Sequence, residues 1–334
     1  MAMQDSKHVL VTGGAGYVGS ALVPRLLAEG HRVKVLDLYL YGESALASVR
    51  WHPNLEEIRG DIRDSQLLKR IMPGCGAVIH LACISNDPSF ELNPSLGRSI
   101  NYDAFSELVD CARESGVRRF VYASSSSVYG VKEEENVTED LPLQPLTDYS
   151  KYKALCEEVL LEKQRAGFEV VIIRPATVCG YSPRLRLDLT VNILTNHAVN
   201  NRKITVFGGK QKRPNIHIQD MVEVYTQSLN WPSEKINGQV FNAGYHNHCV
   251  SDIAAMVQSK VGPDVEIIYT DTNDHRSYHI SSEKIRRELG FVPKHTVGQA
   301  VEDLVGAFAA GRIRNSMSDD KYYNIKRMQS LVLT

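Results

Sequence analysis

No stretch of the chain approaches the roughly 20 consecutive apolar residues that span a bilayer. The opening MAMQDSKH also lacks the hydrophobic core of a signal peptide. Cysteine is sparse and scattered: the six residues, at 75, 83, 111, 156, 179 and 249, contain no C-x-x-C pair. That distribution argues against a disulfide framework and suits reduced thiols. The cluster YHNHC (245–249) carries metal-capable side chains, but at a spacing that matches no standard zinc site. Net charge is nearly absent as well. With 38 Lys and Arg against 39 Asp and Glu, the formal charge is −1, so no overall basic field favours nucleic acid or an anionic membrane. Any anionic ligand must be met locally. Repeats and low-complexity segments are missing too, and the charged run KEEENVTED (132–140) reads as a solvated loop. These absences predict a cytoplasmic protein with no metal, no membrane and no nucleic-acid partner.

What is present is a chain of 334 residues, 43% hydrophobic, able to bury a substantial core. Apolar, β-rich runs alternate with helical patterns: KHVLVTG, HRVKVLD, LEEIRGD, AVIHLA, RRFVYASS, FEVVIIRP and, later, GQVFNAG. Strands buried on both faces and separated by helices imply a parallel, doubly wound α/β sheet. Two of the intervening helices have readable ends, ALVPRLLAEG at Gly30 and FSELVDCARESG at Gly116.

The first strand runs into VTGGAGYVGSALVPRLL, where Gly14, Gly16 and Gly19 satisfy G-x-G-x-x-G and Gly13, Gly16 and Gly19 give G-x-x-G-x-x-G. Glycines here allow a tight turn and let a pyrophosphate approach backbone amides at a helix N-terminus. The motif follows a strand, opens a helix and is followed by Asp37 at the end of the second strand, where a carboxylate holds a ribose diol. Leu38, not a basic residue, comes next. A 2′-phosphate would meet negative charge with no evident cation, which favours NAD over NADP.

The stretch DYSKYK (148–153) offers two tyrosines and two lysines. Only residues four apart stack on one helical face, so Tyr149 pairs with Lys153. A free tyrosine, with a pKa near 10, is a poor base unless a nearby cation stabilises its phenolate, and Lys153 supplies one. The same Y-x-x-x-K spacing recurs at Tyr322 and Lys326, but that copy sits in the C-terminal tail beyond the last sheet strand.

Together TGGAGYVG, Asp37, GDIRD (60–64), HLA (80–82), SSSSVYG (124–130) and YSKYK resemble the extended short-chain dehydrogenase/reductases, and within them the nucleotide-sugar epimerases and dehydratases of the UDP-galactose 4-epimerase type. The resemblance covers nearly the whole chain. It implies a Rossmann-like doubly wound parallel sheet with a smaller C-terminal substrate-binding α/β domain. The expected division is 1–175 for NAD, with 217–250 returning to it, and 176–216 plus 251–334 for substrate. It further implies a homodimer.

The residue roles that follow are what the resemblance implies. Gly13, Gly16, Tyr17, Val18, Gly19 and Asp37 belong to the NAD site; Asp61 and Ile62 contact its adenine end, Leu81 and Ala82 line the adenosine and ribose, and Asn101 and Pro175 lie further along. Ser125 is the catalytic hydroxyl, although the adjoining serines leave the register open by one position. Lys153 also holds the nicotinamide ribose. Ser126 and Thr177 face the substrate. Arg213 and Arg276 contact its nucleotide diphosphate. Two departures are visible: Thr177 where the family often has Asn, and Cys179 where Tyr is common. Arg184 and Arg186 in YSPRLRLDLTVN (181–192) read as solvated loop charges, with an acidic sugar or a phosphate as the other reading.

The chemistry implied is reversible oxidation of a sugar carbon, with Tyr149 taking the hydroxyl proton, Ser125 and Lys153 stabilising the developing charge, and hydride passing to NAD. The two positions after the catalytic hydroxyl then matter. Related 4,6-dehydratases have Asp-Glu there and decarboxylases commonly a Glu, whereas this chain has Ser126 and Ser127. Simple 4-epimerisation needs no extra acid–base pair. Dehydration, decarboxylation or ketoreduction stays open if Cys179 or a histidine supplies one, as does a catalytically silent NAD-binding regulator.

Overall fold

All seven strands expected from the sequence lie in one sheet in a computed structural model, which describes residues 7–272 and 277–331. The strands of the chain are β1 (His8–Thr12), β2 (Arg32–Asp37), β3 (Leu55–Arg59), β4 (Ala77–His80), β5 (Arg119–Ala123), β6 (Glu169–Pro175), β7 (Thr177–Cys179), β8 (Lys203–Phe207), β9 (Lys212–His217), β10 (Gln239–Ala243), β11 (His246–Cys249) and β12 (Glu266–Thr270). The main sheet runs β10-β6-β5-β4-β1-β2-β3, and every neighbouring pair is parallel. Its order reverses between β1 and β4, and in open α/β sheets ligands bind beyond the carboxyl ends of the strands at such a switch point.

Residues alternate along each strand between two separate cores. Val9, Val11, Val33, Val35, Val121 and Val171 join one, packed by helices Gly19–Ala28 and Ile218–Ser228. Leu10, Leu36, Val78, Phe120 and Val170 join the other, beneath helices Ser65–Ile71 and Phe105–Glu114. With both faces covered, the central strands β1, β4, β5 and β6 are buried along most of their length and read as near-continuous apolar runs, while the edge strand β3 exposes Glu56 and Arg59.

The smaller part is built from two further sheets. β7 pairs parallel with β9, β11 pairs antiparallel with β9, and β8 pairs parallel with β12. Helices Thr190–Asn201, Val250–Val261 and Val297–Ala309 enclose a third core around Val191, Ile253 and Val301. Within 217–250, helix Ile218–Ser228 and β10 join the main sheet's layers, whereas β11 goes to β9 because that strand's free edge lies next to it. No helix among the described residues is long and apolar enough to cross a membrane.

Candidate active site

The end of β1 turns sharply at Gly13, whose N–H donates to Leu36 O at 2.8 Å. Gly13 has φ +74°, and a Cβ there would lie 2.6 Å from Ala82 N, so the close passage of β1 past the end of β4 admits only glycine. At Gly19 a Cβ would collide with Gly13 O, which would push the first turn of helix Gly19–Ala28 off the loop. Asp37 closes this end of the cleft. Its Oδ2 accepts from Ala15 N at 3.0 Å and its Oδ1 from Tyr39 N at 2.7 Å, while burial pushes its pKa upward.

Helix Asp148–Glu162 starts at an N-cap, Thr147, whose Oγ1 accepts from Ser150 N, and it sorts the DYSKYK side chains by face. Tyr149 and Lys153 line the cleft, whereas Tyr152 stacks on Tyr102 at 5.3 Å and Lys151 pairs with Asp148 at the surface. Lys153 Nζ donates to Ala123 O at 2.6 Å and sits 6.0 Å from the Tyr149 ring centroid. The electrostatics differ from the sequence expectation. Burial, with Cys83 and Asp87 nearby, raises the Tyr149 pKa, and the groups that oppose this are Arg186 and the hydroxyl of Ser125. Ser125, at the end of β5, accepts from Ser127 N at 3.1 Å.

These groups converge on one cleft of about 480 Å³ at the switch point. Gly13, Gly16, Tyr17, Val18, Gly19, Asp37, Ile62, Leu81 and Ala82 wall one end. Ser125, Ser126, Tyr149, Lys153, Pro175, Thr177 and Arg213 wall the other. Two expected residues stand back. The Asp61 carboxylate is taken by Arg63, at 2.7 Å, and the cleft wall there is made by Gly60 and Ile62. Asn101 is buried and brackets Ile84, accepting from its N–H at 2.8 Å and donating to its carbonyl at 3.0 Å, so it shapes the wall from behind. Arg276 lies outside the described residues. Tyr322 and Lys326 are not in the cleft wall; Lys326 rests on the Tyr323 ring.

Other residues were misread or missed. Arg184 and Arg186 are not solvated loop charges: they are 5% and 8% exposed and line the cleft. Cys179 is fully buried in the third core, its Sγ 3.5 Å from Ile216 O and its pKa pushed up to about 12 by burial, so it cannot serve as an acid–base group in the cleft. No histidine lines the cleft among the described residues, nor do any three His, Cys, Asp or Glu side chains form a metal-holding group. Behind the serines lies an ion pair with no sequence motif of its own. Arg174 on β6 and Glu157 on the tyrosine helix are 5% and 3% exposed and meet at 2.6 Å; Ser124 donates to the same carboxylate.

Residues 9–244 match the NAD dependent epimerase/dehydratase family. The chain belongs to that family. It is 31% identical to a dTDP-glucose 4,6-dehydratase of Streptomyces griseus over 302 residues, 86% of this chain and 89% of the relative. It is 28% identical to a UDP-glucose 4-epimerase of Lactobacillus helveticus over 319 residues, 89% of this chain and 94% of the relative. Among solved structures, the dTDP-glucose 4,6-dehydratase of Streptomyces venezuelae, crystallised with NAD, superposes with a TM-score of 0.82 at 26% identity, covering 91% of this chain and 98% of that one.

The family's cofactor is NAD, and the cleft of this epimerase/dehydratase has the features to hold it. Gly13, Gly16 and the start of a ten-residue helix at Gly19 wall one end of the cleft, and Asp37 offers acceptors there. Buried Arg184 and Arg186 keep nitrogens without partners, Nε and Nη2 respectively. Such groups suit an anion.

Proposed function

We propose that this family member is an NAD-dependent nucleotide-sugar 4-epimerase working through a transient 4-keto sugar. The observation that carries the reading is the composition of the cleft beyond Ser125. Its next two side chains are Ser126 and Ser127, and Ser127 Oγ is already engaged with Ser125 Oγ at 2.8 Å. Cys179 is withdrawn into the core, Glu133, Glu134 and Glu135 are exposed on the surface, and Glu139 accepts from Asn242 N at 2.7 Å. Elimination of water needs an acid and a base beyond the tyrosine, and these positions provide neither.

In this reading NAD, when bound, supplies the acceptor and then the donor of the hydride. Tyr149 takes the proton of the sugar hydroxyl and returns it. Ser125 hydrogen-bonds the reacting oxygen, and Lys153, fixed on Ala123 O, lends positive charge from behind. Arg213 and Arg276 meet the substrate diphosphate, Ser126 and Thr177 the sugar. The keto sugar turns over before it is reduced, which gives the epimer. We place the enzyme in the cytoplasm as a homodimer, with residues 1–175 serving the cofactor and most of the remainder the substrate.

A second reading, a 4,6-dehydratase, is favoured by Asp87. Besides Asp37 it is the one carboxylate in the cleft wall among the described residues, and it accepts from Thr147 Oγ1 at 2.6 Å beside the tyrosine helix. Hydrogen isotopes separate the two. An epimerase retains a deuterium placed at C4 and incorporates none at C3 or C5 during turnover in heavy water. Solvent deuterium at C5 with loss of one water in the mass spectrum would establish the dehydratase, and loss of that exchange in Asp87→Asn would then assign the base to Asp87.

The cofactor preference has its own test. Both Asp37 oxygens are acceptors held by backbone N–H groups, so they suit a ribose diol and repel a 2′-phosphate. NAD is expected to bind at least tenfold better than NADP, and Asp37→Ala to erase the difference. Equal dissociation constants for the two cofactors in the unaltered protein would refute the assignment.

A further inference from the structure

The loop that follows β7 is fastened to the glycine-loop helix. Tyr17 OH donates to Gly180 O at 2.7 Å, Ser182 Oγ donates to Tyr17 O at 2.6 Å, and Ser20 and Ser182 share a hydrogen bond of 2.7 Å. Arg184 N donates to Ser20 Oγ at 3.1 Å. Arg184 is therefore anchored at the first turn of helix Gly19–Ala28, where its side chain shares the cleft wall with Gly16, Tyr17, Val18 and Asp37.

The guanidinium at that place is short of partners. It stacks on the Tyr41 ring, 3.5 Å from the centroid, and uses one of its five N–H donors, from Nη2 to Asn324 Oδ1 at 2.5 Å. It makes no ion pair among the described residues, and Nε is buried without any acceptor. Its neighbour Arg186 differs, because Asp188 neutralises it at 2.9 Å. Burial, helped by the charge on Arg186, lowers the Arg184 pKa to about 10. Asp188 and Asp37 act on the guanidinium only through space and neither reaches it as an ion pair among the described residues, so a cation so buried suits an anion that meets it directly.

We infer that Arg184 is the counter-ion of the cofactor diphosphate, held against it from the side opposite the glycine loop. The inference rests on the reading that the cleft binds NAD. The backbone amides of the glycine loop and the Arg184 guanidinium then form two jaws, one contributed by the first strand–helix turn and the other by the loop after β7. Asn324, whose Nδ2 donates to Ser85 Oγ at 2.9 Å, braces the second jaw from the C-terminal helix Asn324–Ser330. Substrate is met at the other end, where Arg213 lies.

The test compares ligands with and without the diphosphate: NAD, NADP and ADP-ribose by calorimetry, adenosine by ligand-observed NMR. Arg184→Gln is expected to weaken NAD and ADP-ribose by about 10- to 100-fold and to leave adenosine unchanged, the loss typical of a charge-assisted hydrogen-bonded pair. Arg184→Lys, which keeps the charge and loses the fork, is expected to lose about 3- to 10-fold for ADP-ribose. That variant also decides the matter should Arg184→Gln melt below the assay temperature. Unchanged affinity for ADP-ribose in either variant overturns the inference, as does an equal loss for adenosine. A loss confined to NADP would overturn it too and reassign the arginine to a 2′-phosphate. Unaltered protein that binds neither NAD nor ADP-ribose would instead overturn the cofactor reading itself.

Discussion

Tyr149→Phe is expected to lower kcat/KM by about 10²- to 10⁴-fold while leaving the fold and bound cofactor in place. The substitution removes one oxygen from a ring that lies in the cleft wall and whose helix is capped independently by Thr147. The hydrogen-bond neighbour of that oxygen, the hydroxyl of Ser125, keeps its contacts with Ser127 when the oxygen is removed. The proposed proton transfer depends on that oxygen, and its setting is demanding: burial raises the Tyr149 pKa, while Arg186 and the hydroxyl of Ser125 oppose the rise. Circular dichroism and retention of NAD through gel filtration check the fold and the site, and steady-state kinetics read the chemistry. Tyr322→Phe, in the tail pair with the same spacing, is expected to change kcat/KM by less than about twofold. An active Tyr149→Phe protein would remove the proposed base.

Glu157→Gln is expected to cost about 3–5 kcal/mol of folding stability, the penalty for leaving a buried guanidinium without its carboxylate. Arg174 contacts Glu157 through Nε at 3.0 Å and Nη2 at 2.6 Å and also donates to Tyr129 OH at 2.7 Å, which in turn donates to Asn242 Oδ1 at 2.8 Å. The network therefore ties the tyrosine helix to β6, β10 and the serine run. Because Ser124 adjoins Ser125 and donates to Glu157, the loss should also reduce turnover in protein that remains folded. Glu162→Gln, at an exposed position of the same helix, is expected to change stability by less than about 0.5 kcal/mol. Urea denaturation measures both. Replacing both partners by Leu and Met should recover part of the loss, since two apolar groups leave no charge unpaired. A single Glu157→Gln variant within 1 kcal/mol of the parent would show that the pair contributes little.

The sheet was legible because its strands are buried on both faces: a run such as VVII in β6 has no polar alternation to obscure it. The glycine loop and the tyrosine–lysine pair were legible because their chemistry is local, set by spacings of three and four residues. Arg184 and Arg186 were misread for the opposite reason. A loop rich in arginine looks solvated until a helix from residue 324 and a strand end from residue 37 are folded over it, and nothing within 181–192 announces either. The absence of a cation beside Asp37 was a similar inference from neighbours in sequence, and the charge of Arg184 reaches that carboxylate from the other half of the chain. Glu157 and Arg174 carry no motif because an ion pair needs only proximity. Asp61 was placed by analogy, and the adjacent Arg63 claims its carboxylate.

The bonds that join Tyr17 to Gly180 and Ser182, and Ser20 to Ser182, close segments of 162 to 165 residues. Contacts so remote in sequence form late in folding, because the entropy of closing the intervening chain is spent before they are made. The turn at Gly13–Gly19 is synthesised well before the segment after β7, and the part of the cleft wall that this segment contributes does not exist until it has docked. A chain folded only as far as its sheet would have an incomplete cleft wall, so ligand binding at that wall is expected only after the loop has docked.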